Sequence, residues 1–376
     1  MQLTEAQRLF RRTTAKFADE VVAPAAERLD TEEAFPEEIY RRMAEGGFLG
    51  IAVSPERGGA GADILSYALV MEELSRGYSA VADLCGLVEM VAGLLERLGT
   101  EEQKARYLAP LLKGELKCAL AITESEAGSD VSGLKSVVRE VEGGWRLSGS
   151  KLWINNGPLC DFAVILARAE GSVGGKGLST FIVERAWKGF SSGRKERKMG
   201  QCASQVSALF FDHVFLPKEA LLGTEGAGFK QMMQALDKGR VGIAALATGI
   251  CQAALDASVA FAKQRVQFGR RIADFQAIQW MLADMAKDTH AARLMVHHAA
   301  RELDTGERAT MPAAMAKCFA SDAAVRHTAN AVQIHGGSGY IRGFEVERLY
   351  RDAKITQIYE GTNQIQRMLI ARALLA

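Results

Sequence analysis

Hydrophobic residues recur at two different spacings along the chain, and the spacing changes twice. As far as about residue 118, apolar residues stand three and four positions apart in stretches such as DILSYALVMEELSRG, which predicts amphipathic helices. From about residue 117 to residue 217, short apolar stretches such as FAVILARA and LSTFIVE are separated by Gly, Ser and Asn. That pattern is typical of antiparallel strands joined by tight turns. Beyond GTEGAGF, longer helical stretches return.

This order of helices, strands and helices predicts an α+β fold with segregated layers. We divide the chain into an N-terminal α-helical domain at residues 1–118, a middle antiparallel β-barrel or sandwich domain at 119–226, and a C-terminal four-helix-bundle domain at 227–376. Strands and helices do not alternate as they do in a doubly wound nucleotide-binding sheet. Neither GTEGAGF nor GGSGY has the G-x-G-x-x-G arrangement, so a nicotinamide site has little support.

Composition narrows the class of protein. Of the 376 residues 48% are hydrophobic, and Lys+Arg number 46 against Asp+Glu 45, so the charge balance favours neither nucleic acid nor an anionic membrane as a partner. The N-terminal stretch has helix periodicity rather than the pattern of a signal peptide, and we expect a cytoplasmic protein. The six cysteines and six histidines are scattered and form no CxxC pair, so we expect neither a disulfide framework nor a metal site.

Four parts of the chain carry more polar and glycine residues than packing requires. They are AITESEAGSD at 121–130, GSKLWINNG at 149–157, AKQRVQFGRRIADFQAIQ at 262–279, and QIHGGSGY at 333–340 together with RDAKITQIYEGTNQIQ at 351–366. In this order and at these separations, the segments resemble the acyl-CoA dehydrogenase family of flavoproteins. The resemblance extends over essentially the whole chain.

The resemblance implies FAD as the cofactor. The implied contacts in the middle domain are Thr123, Gly128, Ser129, Trp153, Ile154 and Asn155. Backbone N–H groups and hydroxyls suit flavin oxygens, and a broad rigid ring suits stacking on an isoalloxazine. Taken alone, the Gly-Ser pair also fits a β-turn and the tryptophan also fits a core position.

Further implied FAD contacts lie in the C-terminal domain. They are Arg265, Phe268, Gln276, Gln333, Gly337, Thr362 and Gln364. The first five resemble family residues that reach the FAD of a neighbouring subunit, and paired N–H groups of an arginine suit a diphosphate. Taken alone, Arg265 would be read as a solvated helix residue. A site shared between subunits implies an oligomer, and we expect a homotetramer.

The resemblance implies that Glu360, in YEGT, is the catalytic base. It would remove the α proton of an acyl-CoA thioester while the β hydrogen leaves as hydride to flavin N5. An ordinary glutamate pKa of ~4.3 suits this task poorly, so burial should raise the pKa to ~6 to 7. The backbone N–H of the base residue would help to hold the thioester oxygen, and Gly361 would permit the turn. Some family members carry the base just before a distant arginine, where this chain has Gly239.

Substrate contacts follow from the same resemblance. The implied residues are Ser204, Asp237, Arg240 and Gly361. Small Thr356 and the stretch DKGRVGIA resemble short-chain members. Glu89, in GLVEMVAG, is an unusual acid near the implied acyl pocket, and we expect a partly exposed helix residue rather than one that faces substrate. If Glu89 faced the pocket, a polar or cyclic acyl group would be favoured.

Several positions depart from the family pattern. Asn155 stands where the family has Thr or Ser, Ser125 and Glu126 replace Pro and Gly, and Cys202 replaces a common Arg. The Asn155 amide can still donate toward flavin N5 and O4.

Three functions are compatible with these residues. The leading hypothesis is an FAD-dependent acyl-CoA dehydrogenase of fatty acid or carboxylic acid catabolism that passes electrons to an electron-transfer flavoprotein. The second is a flavin oxidase or monooxygenase on the same fold that acts on a small non-CoA substrate with oxygen; Glu360, Arg240 and Ser204 argue against it. The third is a catalytically silent acyl-CoA-binding protein, which the departures at Asn155 and Cys202 leave open.

Overall fold

The computed structural model describes residues 2–307 and 309–375, and its first region consists of helices and loops. The α-helices here are α1 (Glu5–Phe17), α2 (Ala23–Glu32), α3 (Glu37–Glu45), α4 (Ile64–Gly77), α5 (Ser79–Leu98), α6 (Glu101–Gln103) and α7 (Ala109–Leu112). Two π-helical segments, Ala18–Val22 and Lys104–Leu108, join α1 to α2 and α6 to α7. Thr4 and Gln7 form a capping box that begins α1. The predicted helical character of this region is confirmed.

The middle region forms one curled sheet of seven strands. These are β1 (Cys118–Ala121), β2 (Val137–Val141), β3 (Gly144–Asn155), β4 (Phe162–Ala169), β5 (Leu178–Glu184), β6 (Phe190–Ser192) and β7 (Val206–Pro217). The order is β1-β4-β2-β3-β7-β6, and β5 pairs with β4. Most of the pairings are antiparallel, as predicted, but β4 runs parallel to both β1 and β2, which the sequence pattern did not indicate. The hairpin of β2 and β3 lies between β1 and β4 in the chain and lets β4 return in the direction of β1.

The C-terminal region is helical again. It contains α8 (Gly228–Gln264), a small hairpin of β8 (Val266–Gln267) and β9 (Arg270–Arg271), α9 (Gln276–Asp304), α10 (Thr310–His335), α11 (Glu345–Ile355) and α12 (Asn363–Leu375). Helix α8 packs against α4, α5, α9 and α10, and this packing forms the bundle. The predicted succession of helical region, sheet and helical bundle is confirmed. The exact domain limits given above stay a prediction.

Helix α8 is long and rich in apolar residues. By length and composition it could cross a membrane, since an 18-residue window has a mean hydropathy of 1.5, but 67% of that window is buried inside the protein. It lies in the main hydrophobic core, which joins α4, α5, α8, α9 and α10. Buried residues of the sheet form a second core cluster. The active-site residues described next lie where these two parts of the protein meet.

Candidate active site

The loop between α11 and α12 presents Glu360 in an unusual backbone conformation. Glu360 has φ +55° and Gly361 has φ +87°, so a residue with a side chain occupies the left-handed region beside a glycine. Such a conformation persists only where the surrounding structure imposes it. Gln366 Nε2 donates to the carbonyl oxygens of Glu360 at 3.1 Å and Gly361 at 2.8 Å. Lys317 Nζ also donates to the Gly361 carbonyl, at 2.8 Å.

The N–H of Glu360 is left available by this arrangement. Among the described residues, no group accepts a hydrogen bond from it, while both neighbouring carbonyls are bound. The carboxylate oxygen Oε2 is also buried without a hydrogen-bond partner in the described ranges. A free backbone donor next to a free carboxylate oxygen is the pair of groups that proton removal next to a carbonyl requires.

The pKa of Glu360 suits a base at neutral pH. Burial, together with the negative charge of Asp83, raises this pKa to about 7 against the opposing effect of the positive charges of Arg240 and Lys317. The value agrees with the pKa expected from the sequence. A base whose pKa lies near the working pH combines a useful ionised fraction with a useful proton affinity.

The alternative base position faces Glu360 directly. A Cβ atom placed on Gly239 would lie 2.6 Å from Oε2 of Glu360 and 2.8 Å from Sδ of Met90. The two positions therefore compete for one space, and in this chain Glu360 occupies it. Arg240, the next residue, is 5% exposed and forms an ion pair with Asp237, which also accepts a 2.7 Å hydrogen bond from Thr310 Oγ1. The structure thus places the predicted Arg240 close enough to Glu360 to affect its pKa, and pairs Arg240 with the predicted Asp237.

Trp153 and Asn155 lie at an irregular part of β3. The pairing of β3 with β7 shifts register between Lys151 and Ile154, and Trp153 has φ +56°. Trp153 is 64% exposed, although an aromatic side chain in a sheet normally packs against a neighbour. An exposed, strained tryptophan beside an amide fits the flat ring of a flavin. Ile154, between them, is buried in the sheet core.

Asn155 is held by a residue that the sequence did not indicate. Its Nδ2 donates to Oδ2 of Asp83, on α5, at 2.6 Å. The hydroxyl oxygen of Ser204 lies 2.8 Å from Oδ2 of Asp83 and 2.8 Å from Oδ1 of Asn155. Burial raises the pKa of Asp83. We call these three residues the Asp83 clamp; it fixes the orientation of the amide that replaces the family's hydroxyl.

The loop at residues 122–135 is anchored by a buried ion pair. Lys151 is 0% exposed, and its Nζ donates to Oε1 of Glu124 at 2.8 Å. Glu124 also accepts from the backbone N–H groups of Lys135 at 2.6 Å and Ser136 at 2.9 Å. The predicted Thr123 is half-buried here, and the predicted Gly128 and Ser129 are exposed, so their polar groups are open to a ligand.

Several predicted FAD contacts lie together at one end of the helical bundle. Arg265 ends α8, Phe268 forms the turn of the β8–β9 hairpin with φ +53° and 94% exposure, and Gln276 begins α9. Gln333 and Gly337 lie at the end of α10, where the rings of Phe261 and His335 stack at 4.2 Å and join α8 to α10. These residues are exposed, as expected of groups that reach another subunit. Thr362 and Gln364 lie beside Glu360 at the start of α12.

The expectation for Glu89 is wrong. Glu89 is 0% exposed rather than partly exposed. Its carboxylate accepts from the N–H groups of Ile51 at 2.9 Å and Ala52 at 3.0 Å, and from Nζ of Lys238 at 2.7 Å. With three donors the carboxylate joins α5 to a neighbouring loop and to α8, so it has no need of a substrate group.

Three family models match consecutive parts of the chain. Family models of the acyl-CoA dehydrogenase N-terminal, middle and C-terminal domains match residues 4–115, 119–214 and 226–375. An acyl-CoA dehydrogenase of Bacillus subtilis is 45% identical over 100% of this chain and 99% of its own length. The caffeyl-CoA reductase-Etf complex subunit CarC of Acetobacterium woodii is 42% identical over 100% of both chains.

A solved structure shows the same fold. The butyryl-CoA dehydrogenase of Megasphaera elsdenii superposes with a TM-score of 0.97, at 41% identity over 100% of both chains. Within the described residues, no group of three or more His, Cys, Asp or Glu could hold a metal ion. The matches confirm the predicted fold, enzyme class and FAD cofactor, and they show that this chain belongs to the acyl-CoA dehydrogenase family.

Proposed function

We propose that this protein oxidises an acyl-CoA thioester to the trans-2-enoyl-CoA, with Glu360 as the base. The observation that carries the proposal is the state of Glu360. Its Oε2 is buried without a partner among the described residues, and its pKa is raised to about 7. A structural carboxylate in this fold is instead fully paired, as Glu89 and Glu124 are.

FAD fits the residues that surround Glu360. Trp153 would flank the flavin ring, the Asn155 amide would face its edge, and Thr123, Gly128 and Ser129 would bind its oxygens. When bound, FAD accepts the hydride that leaves the β carbon. The Asp83 clamp fixes the amide from behind, since one Nδ2 hydrogen donates to Asp83 and the other is free to point elsewhere.

The chain's own residues handle the α proton. A carboxylate oxygen of Glu360 takes the proton from the α carbon, and the free backbone N–H of Glu360 donates to the thioester oxygen as negative charge develops there. Glu360 becomes neutral in this step, so its carboxylate no longer offsets the positive charges of Arg240 and Lys317. These charges can then stabilise the negative charge that develops on the thioester oxygen. Ser204, Asp237 and Gly361 complete the proposed substrate contacts.

We further propose an electron-transfer flavoprotein as the electron acceptor. The similarity to a subunit of a caffeyl-CoA reductase-Etf complex supports this choice. Arg265, Phe268 and Gln333 are exposed on the surface. The packing of a single chain does not explain why these side chains lie together there, and this arrangement supports a homo-oligomer. We propose a homotetramer. The six cysteines are free thiols, which agrees with a reducing cytoplasm.

An anaerobic titration tests the reaction. The FAD-loaded protein is mixed with saturated acyl-CoAs, and the loss of flavin absorbance is followed. We expect bleaching by at least one acyl-CoA, and a loss of at least about 10³-fold in its rate in Glu360→Gln, as for removal of a general base. Bound flavin that no acyl-CoA bleaches would contradict the proposal. Peroxide formed from a non-CoA substrate in air would favour the oxidase.

A further inference from the structure

Helix α5 is almost completely buried, but one of its faces keeps contact with solvent. Asp83, Leu87 and Met90 are 9%, 9% and 6% exposed. Leu84 and Val88, on the other faces, are 0% exposed. Residues spaced by four and three positions share one helix face. We call the space along this face of α5, which begins at the Asp83 clamp, the acyl slot.

Helix α8 lines the same slot through two glycines. Gly239 faces the carboxylate of Glu360, as described above. Gly242 faces Tyr67, because a Cβ atom placed on Gly242 would lie 2.1 Å from the Tyr67 hydroxyl oxygen. Positions 239 and 242 are on one face of α8, about 4.5 Å apart along its axis. Glu360 and the Tyr67 hydroxyl thus contact the same face of α8 less than one turn apart.

Tyr67 comes from α4 and inserts its hydroxyl between α5 and α8. A Cβ atom placed on Gly86, in α5, would lie 3.4 Å from that hydroxyl and 3.0 Å from Cε of Met71. Gly86 and Gly242 therefore leave the space that Tyr67 fills. Tyr67 is 1% exposed, and Nζ of Lys238 lies 5.4 Å from the centre of its ring. Since Lys238 is itself held by Glu89, the ring is packed against a fixed group.

We propose that Tyr67 closes the inner end of the acyl slot and so restricts this enzyme to short acyl groups. The inference rests on the proposed function, since it requires the α carbon of the substrate to lie at Glu360. An extended chain advances about 3.3–3.6 Å over three bonds. The positions on α8 that face Glu360 and Tyr67 are about 4.5 Å apart along the helix axis, and this length corresponds to roughly four bonds. The slot then accommodates acyl groups of about four to six carbons.

Equilibrium binding tests the chain length separately from turnover. FAD-loaded Glu360→Gln protein, which binds without reacting, is titrated by calorimetry with straight-chain acyl-CoAs of four, eight and twelve carbons. With Tyr67 present, we expect the eight-carbon ligand to bind at least about tenfold more weakly than the four-carbon one. With Tyr67→Ala added, the order should reverse, because each methylene that enters the freed space raises affinity about fourfold.

Two further variants make the result specific to the volume of the side chain. Tyr67→Phe keeps the ring and loses only the hydroxyl, so it should keep the preference for four carbons. Leucine is smaller than tyrosine but larger than alanine, so Tyr67→Leu leaves a smaller cavity than Tyr67→Ala does. Tyr67→Leu takes the place of Tyr67→Ala in the titration if Tyr67→Ala does not fold. It should shift the preference toward longer chains, though less than alanine would. Anaerobic flavin bleaching with Glu360 intact should give the same order of chain lengths.

The possible outcomes separate this inference from the proposed function. Equal binding of four and twelve carbons when Tyr67 is present would overturn the inference and leave the proposed function standing. The same conclusion follows if Tyr67→Ala and Tyr67→Leu both keep the original preference. If none of the proteins bound or was bleached by any acyl-CoA, the proposed function itself would fail.

Discussion

The ammonium group of Lys317 donates a 2.8 Å hydrogen bond to the carbonyl oxygen of Gly361, the residue directly after the proposed base. Its other acceptor is Oδ1 of Asn363, at 2.9 Å. Lys317 is 0% exposed, and burial lowers its pKa to about 8. The strained turn at Glu360 is therefore held from behind by a buried cation, which also favours the ionised form of Glu360.

Replacing this cation should change the titration of the base. In Lys317→Met the positive charge that lowers the pKa of Glu360 is lost, while Arg240 and Asp83 remain. We expect the pH at which flavin reduction is half-maximal to move to higher values, measured by anaerobic stopped-flow across a pH series. Lys151→Met, which removes the other fully buried lysine, should reduce stability and leave that pH unchanged. Equal midpoints in the wild-type protein and Lys317→Met would show that Lys317 serves packing alone.

The raised pKa of Glu360 predicts opposite effects of pH on rate and on stability. The rate of flavin reduction should rise as pH increases through about 7, because the base must be ionised. Between the ordinary value of ~4.3 and about 7, the folded protein binds a proton that the unfolded chain releases. The contribution of Glu360 to stability therefore decreases as pH rises through this window.

Glu360→Gln checks the stability half of that prediction. The variant should unfold at about the same temperature as the wild-type protein at pH 4.5, and at a higher temperature at pH 8. The gain is at most about 3 kcal/mol for a shift of this size. Melting followed by circular dichroism at the two pH values measures it. A gain that is the same at both pH values would contradict a pKa shift at Glu360.

A methyl group on Gly239 should displace the base. In Gly239→Ala the new Cβ would lie 2.6 Å from Oε2 of Glu360, so the carboxylate has to move. A displacement of about 1 Å costs on the order of 10²-fold in rate, and the loss should appear in flavin reduction more than in acyl-CoA binding. Gly93→Ala is the matched control, because the nearest atom, Nζ of Lys238, is 3.8 Å from its Cβ. That control should keep the wild-type rate.

Removing Glu89 should affect stability and not chain length. Glu89→Leu leaves the partly exposed Lys238 without its partner and the N–H groups of Ile51 and Ala52 unpaired, which we expect to cost about 2–4 kcal/mol. Urea unfolding measures the loss. If Glu89→Leu instead kept its stability and accepted different acyl groups, the carboxylate would belong to the substrate site.

The exposed hairpin should matter for cofactor retention. In Phe268→Ala and Arg265→Ala we expect weaker FAD binding and a smaller oligomer, because these residues are proposed to reach the FAD of a neighbouring subunit. Flavin absorbance and light scattering of the purified proteins measure both. Phe210→Ala, which removes a 46% exposed phenylalanine from the sheet, should change neither. Full FAD content in a monomeric Phe268→Ala protein would contradict a shared site.

The candidate site combines residues that the family resemblance implies with residues that only long-range packing reveals. Glu360 belongs to the first group, because the resemblance of YEGT and the other segments to the acyl-CoA dehydrogenase family implies a base at this position. Asp83 could not, since it lies within an ordinary apolar helix and meets Asn155 across 72 positions of sequence. Lys317 meets Gly361 across 44 positions. The role proposed for Tyr67 likewise depends on Gly86 and Gly242, which lie on two other helices. The sequence pattern around Tyr67 does not include them.

Trp153, Phe268 and Glu360 share one feature, a left-handed backbone at a residue with a side chain. Each such conformation costs on the order of 1–3 kcal/mol, a noticeable share of the about 5–15 kcal/mol that separates a folded domain from its unfolded chain. Ligands that bind only the folded state offset this cost. The newly synthesised chain, before it has acquired FAD, is therefore the form that cellular proteases should degrade first, and the flavin supply would set how much enzyme accumulates.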